Sequence, residues 1–351
     1  MNADERLWEL LGGFRLAQFL HAAAVLGVCD AIGPGARSAD EVASRTGCAP
    51  APVGRLLRAL ATVGVVRMDA SGRFSNTELG ELLCEGHPSG LRSGAISRLD
   101  DPIWRAWGAL TEAVRTDSVA YELANGSSFW EDLAQRPDAA ATFNTFMGSR
   151  TLGYAESLKE AFHLGPTSEI IDVGGGQGTL VASLLQKLPE ARGVLFDQAS
   201  GLAEAGAYLE KMGVAARVRI VTGDIFFEVP RTDSCLLLRR VLHDWPDADA
   251  IKILKRCADA LGPDARLLVS EYVLPDVAEP NPEHEAQFTM DLHMFVLFGA
   301  QERTAGEFHQ LFEASGLQLT EVLATTPEAT MILRRRPEGL GTAARSSASP
   351  D

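Results

Sequence analysis

From Arg6 to about Cys29 apolar residues recur at helical spacing (Leu7, Leu10, Leu11, Phe14, Ala17, Phe19, Leu20, Ala24), with Gly12-Gly13 and Gly27 as interruptions. The pattern predicts a long, sticky pair of helices. Ser38-Ala39-Asp40-Glu41 has the S-x-x-E form in which a hydroxyl and a carboxylate satisfy free N–H groups at a helix start, so a short helix is expected to about Thr46. A second helical pattern, with Val53, Leu56, Leu57, Leu60 and Val63, ends at Gly64. Val65 to Met68, a turn at Asp69 to Gly72, and Arg73 to Ser75 then predict a hairpin. Helix, turn, helix, hairpin is a winged-helix order. From Asp101 to about Tyr154 a further helical stretch carries Trp104, Trp107, Phe129, Trp130, Phe143 and Phe146, rings that read as core. Met147 on the same stretch is placed to wall a flat apolar substrate.

At Ser168 the period changes. Short apolar strands are predicted at Glu169 to Val173, Gly193 to Asp197, Val218 to Val221, Cys235 to Leu238 and Arg266 to Glu271. Helices at Thr179 to Leu188, Ala203 to Met212, Asp247 to Leu261 and Thr304 to Ser315 separate or follow them, and a closing strand pair falls near Leu317 to Val322 and Thr330 to Leu333. Strands alternating with helices predict an α/β fold with a doubly wound, Rossmann-like parallel sheet. The expected organisation is therefore a winged-helix-like domain over 1–100, a helical linker region over 101–160, a Rossmann-like domain over 161–336, and a disordered tail over 337–351.

Charge narrows the function of the first of these. The chain of 351 residues carries a net charge of −15, a field that repels phosphate backbones and anionic lipid. Between Ser38 and Arg92 six arginines face six acids, so the helix–hairpin unit has no basic excess for DNA. No nucleic-acid partner is expected. The longest charge-free runs, Leu16 to Cys29 and Val173 to Gln186, have 14 residues each, short of the roughly 18 a bilayer span needs, so no membrane partner is expected either. Asp4 and Glu5 stand where a signal peptide would be basic, and five scattered cysteines form no C-x-x-C pair. Both features predict a cytoplasmic protein with reduced thiols.

Candidate chemistry gathers at the predicted strand ends. Asp172-Val173-Gly174-Gly175-Gly176-Gln177-Gly178 closes a strand and opens a helix, where the backbone admits a nucleotide-like ligand. Asp197, ending the next strand 19 residues after Gly178, is placed to accept hydrogen bonds from both hydroxyls of a ribose. This pair alone does not separate NAD from other adenosyl cofactors. The sixth position from Gly174 is Thr179, not the close-packing glycine or alanine of the dinucleotide fingerprint, which argues against NAD. Asp224 and Ile225 follow the third strand, where a carboxylate can take an adenine amine and an apolar neighbour can cover its ring. The fourth strand runs into Arg239-Arg240-Val241-Leu242-His243-Asp244-Trp245.

The ordered set DVGGGQGT, VTGDIFF, LHDWPD, LLVSEYVLP and DLHMFVLFGAQERT resembles the S-adenosylmethionine-dependent small-molecule O-methyltransferases, over nearly the whole chain. The resemblance implies S-adenosyl-L-methionine as cofactor, a small aromatic substrate and a homodimer formed through the N-terminal domain. It also implies His243 as general base for a phenol, with Glu271 and Glu302 beside it; either is placed to hold the ring's other N–H. Asp172, Gly174, Gly176, Asp197, Asp224, Ile225, Arg239 and Trp245 would bind cofactor, and Met147, Asp244 and Met294 would line the acceptor pocket. Arg239 stands where relatives commonly carry lysine. Bland readings compete: Glu302 and Arg303 as a solvated ion pair, and the methionines as core filler. No metal is expected, although His243, Asp244 and His293 offer the ligand types of a non-haem iron site for C- or N-methylation. A DNA-binding regulator and an NAD-dependent dehydrogenase are the readings from other classes.

Overall fold

The computed structural model describes residues 2–151, 154–158, 169–325 and 328–336. The expected tail over 337–351 lies outside the described residues. Contacts divide the chain into two units: residues 1–155 with 203–208 and 295–299, and residues 156–202 with 209–294 and 300–351. The stretch 101–155 therefore belongs with the N-terminal residues.

In the first unit the helix Ala3–Val25 runs unbroken through Gly12-Gly13, and the chain turns instead at Gly27, left-handed at φ 63°, before Val28–Ile32. This corrects the expected first break. Two helical glycines cost only about 1 kcal/mol each, which the helix sustains, whereas a left-handed residue cannot continue it. Leu7, Trp8, Leu10, Leu11 and Phe14 are all more than half exposed on this helix. Helices Ala39–Thr46 and Pro50–Thr62 and the antiparallel strands β1 (Val66–Met68) and β2 (Phe74–Asn76) follow, with the expected capping box at Ser38 and Glu41. They enclose a core of Val42, Val53, Leu57, Leu60 and Phe74. The aromatic stretch forms several short helices, and Phe129, Trp130, Phe143 and Phe298 pack edge-on or stacked in a separate cluster.

The second unit is built on a seven-stranded sheet. Its strands are β3 (Glu169–Val173), β4 (Arg192–Asp197), β5 (Val218–Thr222), β6 (Cys235–Arg239) and β7 (Arg266–Glu271). After the two-residue strands β8 (Val273–Leu274) and β9 (Arg303–Thr304), which pair with each other, come β10 (Leu317–Thr325) and β11 (Glu328–Arg335). The order is β10-β11-β7-β6-β3-β4-β5. The first five large strands are parallel, and β11 joins β7 antiparallel, so the sheet is mixed rather than wholly parallel. The antiparallel pairing of β11 with β10, in register to Thr325 opposite Glu328, accompanies that reversal. The core of Ile171, Val194, Leu236, Leu238, Ile253, Leu267 and Phe312 fills the space between sheet and helices. Sequence reading missed the helix Pro282–Phe298, whose apolar residues spread around its circumference and leave no single stripe.

Strand order reverses at β3, with β4 and β5 on one side and β6 and β7 on the other. This switch point is where ligands bind in open α/β sheets, outside the carboxyl ends of the strands.

Candidate active site

Each parallel strand delivers at least one candidate residue at or just past its carboxyl end. After β3, Gly174 is left-handed at φ 71°, and a Cβ there would sit 2.9 Å from Val241 Cγ2 on the loop after β6. Only glycine fits. The amide of Gly176 donates to Asp197 Oδ2 at 2.7 Å, and Gln198 N donates to Oδ1 at 2.6 Å. A carboxylate has about four acceptor positions, so Asp197 retains capacity for a diol. Burial raises its pKa, and the two backbone N–H groups oppose that. Asp224 Oδ1 accepts from Phe226 N at 2.9 Å, Ile225 is half-buried beside the core, and the Phe226 ring meets Trp245 edge-on at 4.7 Å. These positions fit an adenosyl cofactor: a glycine loop too tight for side chains, a helix start after Gly178, and carboxylates at the ends of β4 and β5.

Two residues expected at the cofactor have partners within the sheet unit. Asp172 is buried and accepts from Val181 N at 3.3 Å, tying β3 to its following helix; burial lifts it to about 7. Arg239 pairs with buried Glu328, Nε to Oε2 at 2.9 Å and Nη2 to Oε1 at 2.5 Å, and so joins β6 to β11.

His243 lies in a single 3-10 turn, Leu242–Asp244, and is 5% exposed. Its Nδ1 is 2.8 Å from Glu302 Oε1, and its Nε2 is 3.3 Å from Asp244 Oδ1. An ionised carboxylate only accepts, so Nδ1 carries the proton of that bond and Nε2 is the basic nitrogen. Glu271 accepts instead from the amides of Val241 and Leu242, at 3.0 and 2.8 Å through Oε1. Of the two carboxylates expected at the ring's other N–H, the structure therefore puts Glu302 there. Glu271 holds the backbone that carries the histidine.

Sequence reading missed two arginines here. Arg303 is fully buried and does not form a solvated pair with Glu302, which is itself buried. Its guanidinium donates to the carbonyls of Leu242 (2.9 Å) and Trp245 (2.8 Å) and to Asp247 Oδ1 (2.9 Å). It staples the turn on both sides of His243. Arg240 lies with its Cζ 4.3 Å from the Tyr272 ring centroid and its Nη2 3.9 Å from Glu302 Oε1. The signal available for both was a charged side chain directly abutting a strand end or a motif carboxylate.

The charges are strongly coupled. Burial alone would lower the His243 pKa, but Asp244 and Glu302 outweigh it and raise it to about 9, with Arg240 opposing and Glu271 adding. Burial pushes Glu302 up, yet His243 and the two arginines hold it below the ordinary carboxylate range. Burial lifts Glu271 to about 7 and Asp244 to about 6, in each case against the pull of His243.

Among the described residues, ligand atoms of His243, Glu271 and Glu302 lie within 4.8 Å of one another, whereas His293 is not part of that group. The iron-type trio of His243, Asp244 and His293 is not assembled. Met294 is buried in the second unit and Met147 belongs to the first.

Residues 107–318 match the O-methyltransferase domain, and residues 8–86 match the O-methyltransferase dimerisation domain. The chain belongs to the O-methyltransferase family. It is 37% identical to phenazine O-methyltransferase PhzM of Lysobacter antibioticus, covering 94% of this chain and 95% of the relative. A mitomycin biosynthesis 6-O-methyltransferase of Streptomyces lavendulae is 36% identical, covering 92% and 91%. The solved structure of an O-methyltransferase of neocarzinostatin biosynthesis, bound to S-adenosyl-L-homocysteine and 1,4-dihydroxy-2-naphthoic acid, is 32% identical with a TM-score of 0.76, covering 91% and 96%. This O-methyltransferase is thus an S-adenosylmethionine-dependent enzyme. Among its described residues no helix is long and apolar enough to cross a membrane.

Proposed function

We propose that this O-methyltransferase methylates a phenolic hydroxyl of a small aromatic natural product, with His243 as the general base. The observation that carries the reading is the His243–Glu302 pair at the carboxyl end of β6, beside the glycine loop of β3. S-adenosylmethionine, when bound, supplies a methyl group activated by its sulfonium. The chain's own residues do the rest. Gly174, Gly176, Asp197 and Asp224 hold and orient the cofactor, with Ile225 and Trp245 as apolar cover.

His243 Nε2 takes the acceptor's proton. A phenol has a pKa near about 10 and is a weak nucleophile while protonated; His243, raised to about 9, takes that proton in the fraction of enzyme whose ring is neutral, a fraction that grows with pH. The imidazolium formed is stabilised by Glu302 at Nδ1 and by Asp244 at Nε2. Met294, buried in the second unit, is a proposed acceptor-pocket residue. The exposed apolar stripe of the first helix lies in the dimerisation match and supports a homodimer formed through it.

The test is a panel of phenols incubated with methyl-labelled cofactor and read by mass spectrometry, for the native enzyme and His243→Ala. The expected result is phenolic ether formation that falls by at least about a hundredfold in the variant, with S-adenosylhomocysteine affinity retained. Unchanged turnover in the variant overturns the base assignment.

A further inference from the structure

Arg240 occupies a backbone conformation that glycine would adopt more easily. Its φ is 53°, and Asp117 is the other non-glycine residue with positive φ among the described residues. A long side chain kept in the left-handed region points to work done by that side chain. Its position is fixed from three sides. The amide donates to Ser270 O at 3.0 Å, the guanidinium lies over the Tyr272 ring, and Nη2 is 3.9 Å from the carboxylate oxygen that also accepts from His243 Nδ1.

We propose that Arg240 is a positioning residue of the methyl transfer: its guanidinium shares Glu302 with His243, and this weakens the imidazole's hold on its proton, so that a larger share of the enzyme carries a neutral ring when substrate arrives. The proposal rests on His243 being the base.

The charges around the ring show why such a residue is needed. Asp244 comes from the turn itself, Arg240 from the link between β6 and that turn, Glu271 from β7, Glu302 from just before β9 and Arg303 from its first residue; Asp291, on the helix Pro282–Phe298, accepts from Glu302 N. Three carboxylates thus face His243, and each favours its charged form. A charged imidazole has no lone pair at Nε2 and takes no proton. Arg240 is the cation that opposes them at the ring, while Arg303 is committed to the backbone carbonyls of Leu242 and Trp245. Stacking on Tyr272 holds the guanidinium in place beside Glu302.

The experiment compares the full-length enzyme with Arg240→Gly, Arg240→Asn and Arg240→Lys. Glycine and asparagine both tolerate the left-handed backbone, so loss of charge is separated from loss of fold; either one that melts at the native temperature serves. The first readout is the titration of the His243 ring by NMR on histidine-labelled protein, assigned by the signal missing in His243→Gln. The second is the pH profile of kcat/KM.

In Arg240→Gly and Arg240→Asn the ring midpoint should move up by about one pH unit, and activity at neutral pH should fall about tenfold. Arg240→Lys should restore both most of the way. A ring midpoint that coincides with the native one in the neutral variants, or a lysine variant shifted as far as they are, overturns the proposal. A pH profile that ignores the ring's titration in every variant overturns the base reading instead, and the NMR midpoints still decide what Arg240 does.

Discussion

Glu302 Oε1 stands 2.8 Å from His243 Nδ1, and the next residue along the chain, Arg303, grips the carbonyls of Leu242 and Trp245 on either side of the same histidine. One dipeptide thereby orients both the ring and the turn that carries it. The glycine loop belongs to a different strand end, that of β3. The proposed acid–base pair and the proposed cofactor cradle lie at different strand ends, and mutations should separate them.

The pH dependence of catalysis follows from the first part. A base reacts when deprotonated, so kcat/KM should rise with pH up to about 9, the value to which Asp244 and Glu302 raise His243 against the effect of burial. Glu302→Gln removes one of these anions and should move that limb down by about one unit or more, while lowering the plateau because the imidazolium loses its partner. A limb unmoved in Glu302→Gln would show that this carboxylate does not govern the ring.

Arg303→Met should destabilise the enzyme by about 2–3 kcal/mol, since it removes the guanidinium donors from the carbonyls of Leu242 and Trp245. Arg303→Lys should not restore the loss, because a point charge cannot reproduce the planar fork that reaches both carbonyls. Urea unfolding of the three proteins decides this.

Asp197→Ala should weaken binding of S-adenosylhomocysteine by about 1.5–3 kcal/mol, as expected for hydrogen bonds to a charged acceptor. Its two backbone partners, Gly176 and Gln198, would also be released, so part of the loss will come from the loop. Isothermal titration with equal affinity for both proteins would remove Asp197 from the cofactor site.

Burial lifts the folded pKa of Glu271 to about 7 from an ordinary value near 4.5. Between those pH values the folded state binds more protons than the unfolded one. Its contribution is therefore fully present below the unfolded value and is lost as pH rises through the folded one. Glu271→Gln, which keeps an oxygen for the amides of Val241 and Leu242, should flatten stability over that window. Melting curves from about pH 4.5 to about pH 7.5 with the native slope would contradict it.

The stripe on Ala3–Val25 gives a prediction independent of the site. Trp8 and Leu11 are 66% and 58% exposed, and replacing both with glutamate should turn a dimer into a monomer in sedimentation velocity. A variant that still sediments as a dimer would place the interface elsewhere.

Local patterns were legible wherever period and chemistry agreed. The capping box at Ser38, the five parallel strands and the glycine run after β3 each depend on neighbours within a few residues, so the sequence alone determined them. It also determined that His243 would stand at a strand end. The unbroken first helix, the reversed β11 and the helix Pro282–Phe298 were not legible, because a glycine's tolerance, a strand's partner and an apolar circumference are settled by packing.

The site divides the same way. Residue types and motif order already pointed to an adenosyl cofactor and a histidine base. Only the tertiary structure decided that Glu302 rather than Glu271 receives Nδ1–H, that Arg239 pairs with Glu328, and that Arg240 and Arg303 flank the histidine. These contacts join residues 59 to 89 positions apart. Their energies depend on burial and on every other charge within a few ångströms, quantities that exist only once the chain has folded.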